Sequence, residues 1–453
     1  MRYPLEFRSL EIINRFLPSG SLRARLAHGA FWTLFGSLIV QGSGVLGSIL
    51  SARILGKVGF GELGMIRSTV LMFAVLAGTG LGMAATKYVA EYRVTDPQKT
   101  GRIIGLLLNT ALILGGGVSL FCLLLAEPLA RGVMNAPHLA DALQMGCLML
   151  LLNTLNGVQS GVVYGFEAFR TQAQLCALDG FSNLVFIPAG ALIYGVAGAM
   201  GGSVMAALLG VIVKQRAMNK ECKLASVNIV HRKVSSEFPA LWKFVLPSVL
   251  VGVSIQPFEW LTRLMLARQP NGYAELGVFT AVFTWAQFIL FLPSQISSPI
   301  LPILSNLLAL GQIKKLKKVV ISSQVLVFAI TLSTAIPLAI LAPFILNAYG
   351  PDFVPGRLAL LTMIGAYVIC VTTLVTRVFL AASDCMWLQT LQTFIWGIIL
   401  VAGFNMLVPR GGFGLAVSYL ISYSALSLLQ IGTQVVVMHR LAKRNPKERA
   451  FCP

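Results

Sequence analysis

Twelve apolar stretches run through the chain, each parted from the next by a short polar joint. Residues 103–126, 142–166, 276–313, 319–351 and 386–409 contain no Asp, Glu, Lys or Arg at all. About 20 consecutive apolar residues cross a bilayer as a helix. The ~10-residue alternating segments of a membrane barrel are absent. The pattern therefore predicts an all-α polytopic membrane protein of twelve transmembrane helices. They fall near 28–51, 63–88, 103–125, 141–165, 172–194, 196–216, 241–266, 276–304, 319–346, 357–379, 386–408 and 412–438.

The joints carry the orientation. With the N-terminus inside, 27 of the 35 Lys and Arg residues lie on the cytoplasmic side and 8 on the other. Cytoplasmic joints collect Lys and Arg, so this alternation predicts cytoplasmic N- and C-termini. The longest joint, 217–240, divides two six-helix lobes, 28–216 and 241–438. Before them, 1–27 reads as a basic amphipathic segment lying on the membrane surface, and 439–453 as a basic cytoplasmic tail. Gly59-Phe60-Gly61-Glu62-Leu63-Gly64 after the first span echoes Gly272-Tyr273-Ala274-Glu275-Leu276-Gly277 after the seventh. Arg53 and Arg268 precede these two segments at nearly the same offset. Leu125-Ala126-Glu127-Pro128 is echoed more weakly by Leu341-Ala342-Pro343. Each half has an even number of spans, so the repeat is parallel, about a pseudo-two-fold axis along the membrane normal.

Composition changes the picture in three places. The formal net charge of +19 would suggest nucleic acid in a soluble protein, but here 56% of residues are hydrophobic and 11% charged. The positive excess is expected to face anionic lipids, and no nucleic-acid partner is expected. The seven cysteines form no CxxC pair and the four histidines are far apart, so neither a disulfide framework nor a metal site is expected. No nucleophile elbow, P-loop or catalytic carboxylate pair is present, which argues against an enzyme and gives no catalytic residue and no cofactor. A membrane-bound polymerase or acyltransferase would need a larger extramembrane loop.

Gly59, Gly61 and Gly64 match a dinucleotide fingerprint only by letters, since no strand precedes them. They read instead as a tight turn. The GxxxG spacings at 78/82, 101/105, 161/165 and 198/202 read as packing sites. Charges inside spans weigh more, because each costs about 2.5–3.5 kcal/mol at mid-membrane on insertion scales. Arg67 lies just inside the second span. Glu259 and Arg263 lie four apart on one face of the seventh and can pair. Asp179 lies in the fifth without an obvious local partner. Lys87 and Arg377 lie near span ends, where long side chains reach the interface.

The segment from Ala52-Arg53-Ile54-Leu55-Gly56 to Gly64 resembles an R-x-L-G-x-x-x-F/Y-G pattern. That pattern belongs to polysaccharide flippases, a branch of the multidrug/oligosaccharidyl-lipid/polysaccharide (MOP) exporter superfamily. Gly80-Leu81-Gly82 to Lys87-Tyr88-Val89-Ala90-Glu91 is similar to the end of their second helix. Pro299-Ile300-Leu301-Pro302 is similar to part of their eighth, and Tyr349-Gly350-Pro351-Asp352-Phe353 to their Y-G-x-x-F loop. The resemblance implies two lobes in a V and export of an undecaprenyl-diphosphate-linked oligosaccharide across a bacterial inner membrane. It implies Arg67, Arg263 and Arg377 as substrate-binding cations. Membrane lipids and glycan-assembly proteins are the implied partners. Asp179 and Glu259 keep open a second reading, a drug antiporter coupled to a proton or sodium ion.

Overall fold

The computed structural model describes residues 22–78, 80–230, 252–297, 300–383 and 385–443. Among them there is no β-strand. The helices are α1 (Leu22–Ala74), α2 (Leu81–Tyr92), α3 (Pro97–Pro128), α4 (Ala140–Gly165), α5 (Phe169–Leu224), α6 (Gln256–Ala267) and α7 (Gly272–Ser297). They continue as α8 (Ile300–Ala309), α9 (Ile313–Ile340), α10 (Ala342–Tyr349), α11 (Arg357–Ala382), α12 (Met386–Leu407) and α13 (Gly411–Lys443). Among the described residues, eight stretches are long and apolar enough to cross a membrane. Large apolar side chains such as Leu124, Ile193, Leu428 and Met406 point outward. Hydrocarbon, which needs no polar partner, is the environment that suits such a surface.

Three of these stretches are too long to be one crossing. Phe169–Leu224 has 56 residues; as a straight helix it would be roughly 84 Å long, against a hydrocarbon core of roughly 30 Å. It folds back at Gly195, whose φ of 59° and ψ of −136° suit a residue without Cβ. The two arms then touch through Gly190 and Gly198, where each absent Cβ would strike the other's carbonyl. Gly56 (φ 67°) breaks α1, and Gly411 (φ 55°) separates α12 from α13.

The outlines differ from the sequence expectation in detail. The turn after the first span is made at Gly56, not across 59–64; Gly61 and Gly64 sit inside the helix and pack on α7. The second span, expected to be continuous, ends at Ala74 and resumes at Leu81 after a turn containing Gly78 (φ 95°). Asp96 begins α3 by accepting a hydrogen bond from Lys99 N at 2.8 Å, ahead of Pro97, which has no N–H to satisfy. α5 runs on to Leu224, past the expected start of the central joint. The surface segment up to residue 21, 231–251 of the joint and seventh span, and the tail beyond 443 lie outside the described residues. Cys122, Cys147, Cys176, Cys222 and Cys370 are free thiols.

Three apolar cores organise the packing. The largest draws on both halves of the chain, with Phe60, Leu63 and Ile66 packed among Phe279, Tyr349 and Phe353. A second, from Leu81 to Val227, contains first-half residues only. A third, from Ile300 to Val437, contains second-half residues only. The shared core reaches the joints near 126–140, 264–276 and 342–356; the separate cores reach those near 89–103, 222–229 and 300–316. Among the described residues, the halves are joined at one end and cored separately at the other.

Candidate substrate cavity

Arg67 lies on the second arm of α1, eleven residues beyond the break at Gly56. It is half-buried on the wall of a cavity of ≈ 330 Å³ inside the first half. Ser43, Ser48, Asn153, Asn183 and Ser203 supply the polar part of the lining, and Val70, Leu71 and Met149 belong to the apolar part. Arg67 has no hydrogen-bond or ion-pair partner among the described residues. Its five donors therefore face a space edged by neutral hydroxyls and amides. Such a site attracts an anion, and the planar guanidinium matches a phosphate oxygen pair.

The other intramembrane charges are arranged differently. Arg263 and Glu259 are both buried on α6 and pair loosely, Nη2 to Oε2 at 3.4 Å. The Arg263 guanidinium also lies 4.5 Å from the Phe283 ring centroid, a cation–π contact. Asp179 does have a partner. Lys214, counted in the sequence among the cytoplasmic charges, comes from the other arm of α5 and places Nζ 2.7 Å from Asp179 Oδ2. The hairpin at Gly195 brings these two positions together across 35 residues, a proximity that only the fold creates. Arg377 lies inside α11, its Nε buried and without a hydrogen-bond partner among the described residues. Its neighbour Thr376 donates to Gln434 Oε1 at 2.7 Å, and Gln324 donates to the same oxygen at 2.9 Å.

The five charged residues singled out in the sequence are therefore not gathered at one point. Only Arg67 lines the cavity; Arg263 and Arg377 belong to the second half. A hydrogen bond links Arg67's helix to the second half: Trp260 Nε1, one residue past Glu259, donates to Thr69 Oγ1 at 2.9 Å, two residues past Arg67. Among described residues the balance is positive, since Asp179 and Glu259 each hold a cation while Arg67 and Arg377 hold no acid. Sequence reasoning passed over Asn153, Asn183, Ser43 and Ser203, because a neutral polar residue in an apolar span carries no signal of which way it faces. It also passed over Trp396, buried in the second half with Nε1 lacking a hydrogen-bond partner among the described residues, and the buried Tyr419 near it.

Several known proteins are similar to this chain in sequence or fold. The profile of a family described as "Polysaccharide biosynthesis protein" matches residues 26–308, more than half of the chain. The "Lipid III flippase" of Escherichia coli (strain K12) is 26% identical over 294 residues, 62% of this chain and 68% of that protein. The "EPS I polysaccharide export inner membrane protein EpsE" of Ralstonia solanacearum is 22% identical over 387 residues, 83% of this chain and 85% of that one. In three dimensions the chain superposes on an inward-facing multidrug resistance MATE family transporter of the MOP superfamily. The TM-score is 0.75 at 16% identity, over 91% of this chain and 99% of the other, a likeness of fold.

Proposed function

The chain belongs to the polysaccharide biosynthesis protein family, and on that premise we propose that it is a flippase of the MOP superfamily, moving an undecaprenyl-diphosphate-linked oligosaccharide from the inner to the outer leaflet of a bacterial inner membrane. It is a multi-pass membrane transporter, like the flippases and exporters it resembles, none of which is named as an enzyme. The lipid tail stays in the bilayer while the sugar head crosses inside the protein, and rocking of two halves alternates access to the two sides.

The observation that carries this reading is Arg67, a guanidinium without an acidic partner among the described residues, on the wall of a cavity edged by Ser and Asn. A diphosphate head group is the anion that a flippase of this kind would present there. Arg263 and Arg377 would act later on the path, from the second half. The reading takes the eight long stretches as twelve crossings: three of them fold back at Gly56, Gly195 and Gly411, and α6 completes the seventh span. It keeps lobes at 28–216 and 241–438, with termini on the cytoplasmic side and the joint's polar part beginning after Leu224. Glycan-assembly proteins are its expected partners.

The alternative is a drug antiporter coupled to a proton or sodium ion, for which the MATE fold and the loose Glu259–Arg263 pair speak. Asp179 speaks less for it, because Lys214 already occupies the place of a coupling cation. Reconstituted protein decides between them. Transbilayer movement of a fluorescent undecaprenyl-diphosphate oligosaccharide should fall about tenfold or more in Arg67→Ala, the scale of a lost charge-assisted hydrogen bond. An unchanged rate in that variant removes the cavity arginine. No movement by the wild type, with or without an ion gradient, favours the antiporter.

A further inference from the structure

The two halves meet through an arrangement that the mechanism above does not use. Arg53, near the end of the first arm of α1, donates Nε–H to the carbonyl of Ala348 at 2.6 Å. Ala348 lies in the last turn of α10, in the other half. Arg268, just after α6, donates from Nε to Val133 O at 2.7 Å and from Nη2 to Gly132 O at 3.0 Å. Those two carbonyls close the π-helical turn that ends α3, in the first half. Each arginine thus reaches across to the C-terminal end of a helix in the opposite half. Such ends carry unpaired carbonyls and the negative pole of the helix dipole, so a cation there satisfies both.

The contacts are related by the internal repeat. Arg268 follows Arg53 by 215 residues, and Ala348 follows Val133 by the same 215. The equal spacing is what the pseudo-two-fold repeat proposed from the sequence would produce, exchanging donor with donor and acceptor with acceptor. Around them lie further contacts between the halves: Ser48 Oγ to Tyr349 OH at 2.7 Å, Tyr273 OH donating to Met134 O at 2.9 Å, and Phe60 against Tyr349 and Phe353. These all sit at the end where the halves share a core. Both arginines are exposed, so water competes for each carbonyl. That makes the contacts releasable, as a closure that must open in each cycle requires, whereas a buried charge pair would hold too firmly.

We infer that Arg53 and Arg268 form a reciprocal pair of latches that closes the outer end of the transport path, each binding the helix end of the opposite half. This rests on the alternating-access reading and on the orientation set by the positive charges, and it is independent of the substrate. The reporter is Ser51→Cys, buried one helical turn beyond Ser48, treated with a membrane-impermeant maleimide on right-side-out spheroplasts. Protein without the reporter sets the background from the native thiols. Arg53→Ala with Arg268→Ala should raise labelling about fivefold or more, each single change giving a smaller rise and Arg→Lys at both positions less than Arg→Ala. Labelling at the reporter-only rate in the double Ala variant overturns the latch. So does a rise accompanied by a drop of several degrees in detergent melting temperature, since general loosening would then explain it. A rise seen only when reagent reaches the other membrane face supports the latch and overturns the orientation, which separates the two readings.

Discussion

At the scale of single residues, the cost of burying charge in a membrane decides the layout. An intramembrane ion costs about 2.5–3.5 kcal/mol on insertion scales, so each one needs a partner or a use. Asp179 has Lys214, and Glu259 has Arg263 with the Phe283 ring alongside. Lys214→Met leaves a mostly buried carboxylate alone and should destabilise the protein by about 3 kcal/mol. Asp179→Asn added to Lys214→Met should recover most of the loss. Melting temperatures of the two variants in detergent check this, and a double variant no more stable than the single would mean that Lys214 serves something other than Asp179. Arg67 has no such explanation among the described residues, which is why transport and not stability is the expected readout of its removal.

Among elements, glycine determines how closely helices approach. The second arm of α1 and α7 cross at Gly61 and Gly277: a Cβ on Gly61 would strike Tyr273 O, and one on Gly277 would strike Lys57 O. Gly82 and Gly161 let α2 and α4 meet in the same way, each taken from one of the GxxxG spacings in the sequence, whereas Gly78 lies in a turn. Gly277→Leu should push the two halves apart and reduce both folded yield and transport. Gly42→Ala, where the new Cβ meets nothing within 4 Å, should leave both near wild type. Fluorescence-detected size-exclusion profiles of the two variants compare the outcomes, and equal profiles would mean that the α1–α7 crossing can spread without cost.

Across the whole molecule, the distribution of cores sets the conformational state. A shared apolar core at one end and separate cores at the other are what two halves hinged apart would show, and under the proposed orientation the open end faces the cytoplasm. A short bifunctional thiol reagent spanning Ser48→Cys and Tyr349→Cys, whose native hydroxyls lie 2.7 Å apart, should join the halves at the closed end and stop transport. The double cysteine protein should transport before treatment, and the reagent should not inhibit either single variant. Transport that persists after complete cross-linking would show that the halves need not part there.

Local sequence was sufficient for the class, an all-helical chain with several apolar stretches long enough to cross a membrane. Membrane thickness sets a length for every apolar run, so hydropathy alone picks out such stretches, while the sidedness proposed from the lysines and arginines rests on the joints. The proposed internal repeat rests on Gly59–Gly64 and Gly272–Gly277, which keep the same spacing of small and acidic residues. Tertiary structure decided everything that depends on one span finding another. It paired Asp179 with Lys214 across a hairpin, moved the first turn to Gly56, and interrupted the second span near Gly78. It separated Arg67 from Arg263 and Arg377, which a linear reading groups by charge alone. It also aimed Arg53 and Arg268 at helix ends in opposite halves. The physical reason is the same in each case: hydropathy places a residue at a depth in the membrane, but the direction in which its helix face points is set by packing among helices that are nearly all apolar, where small residues and close contacts make the choice.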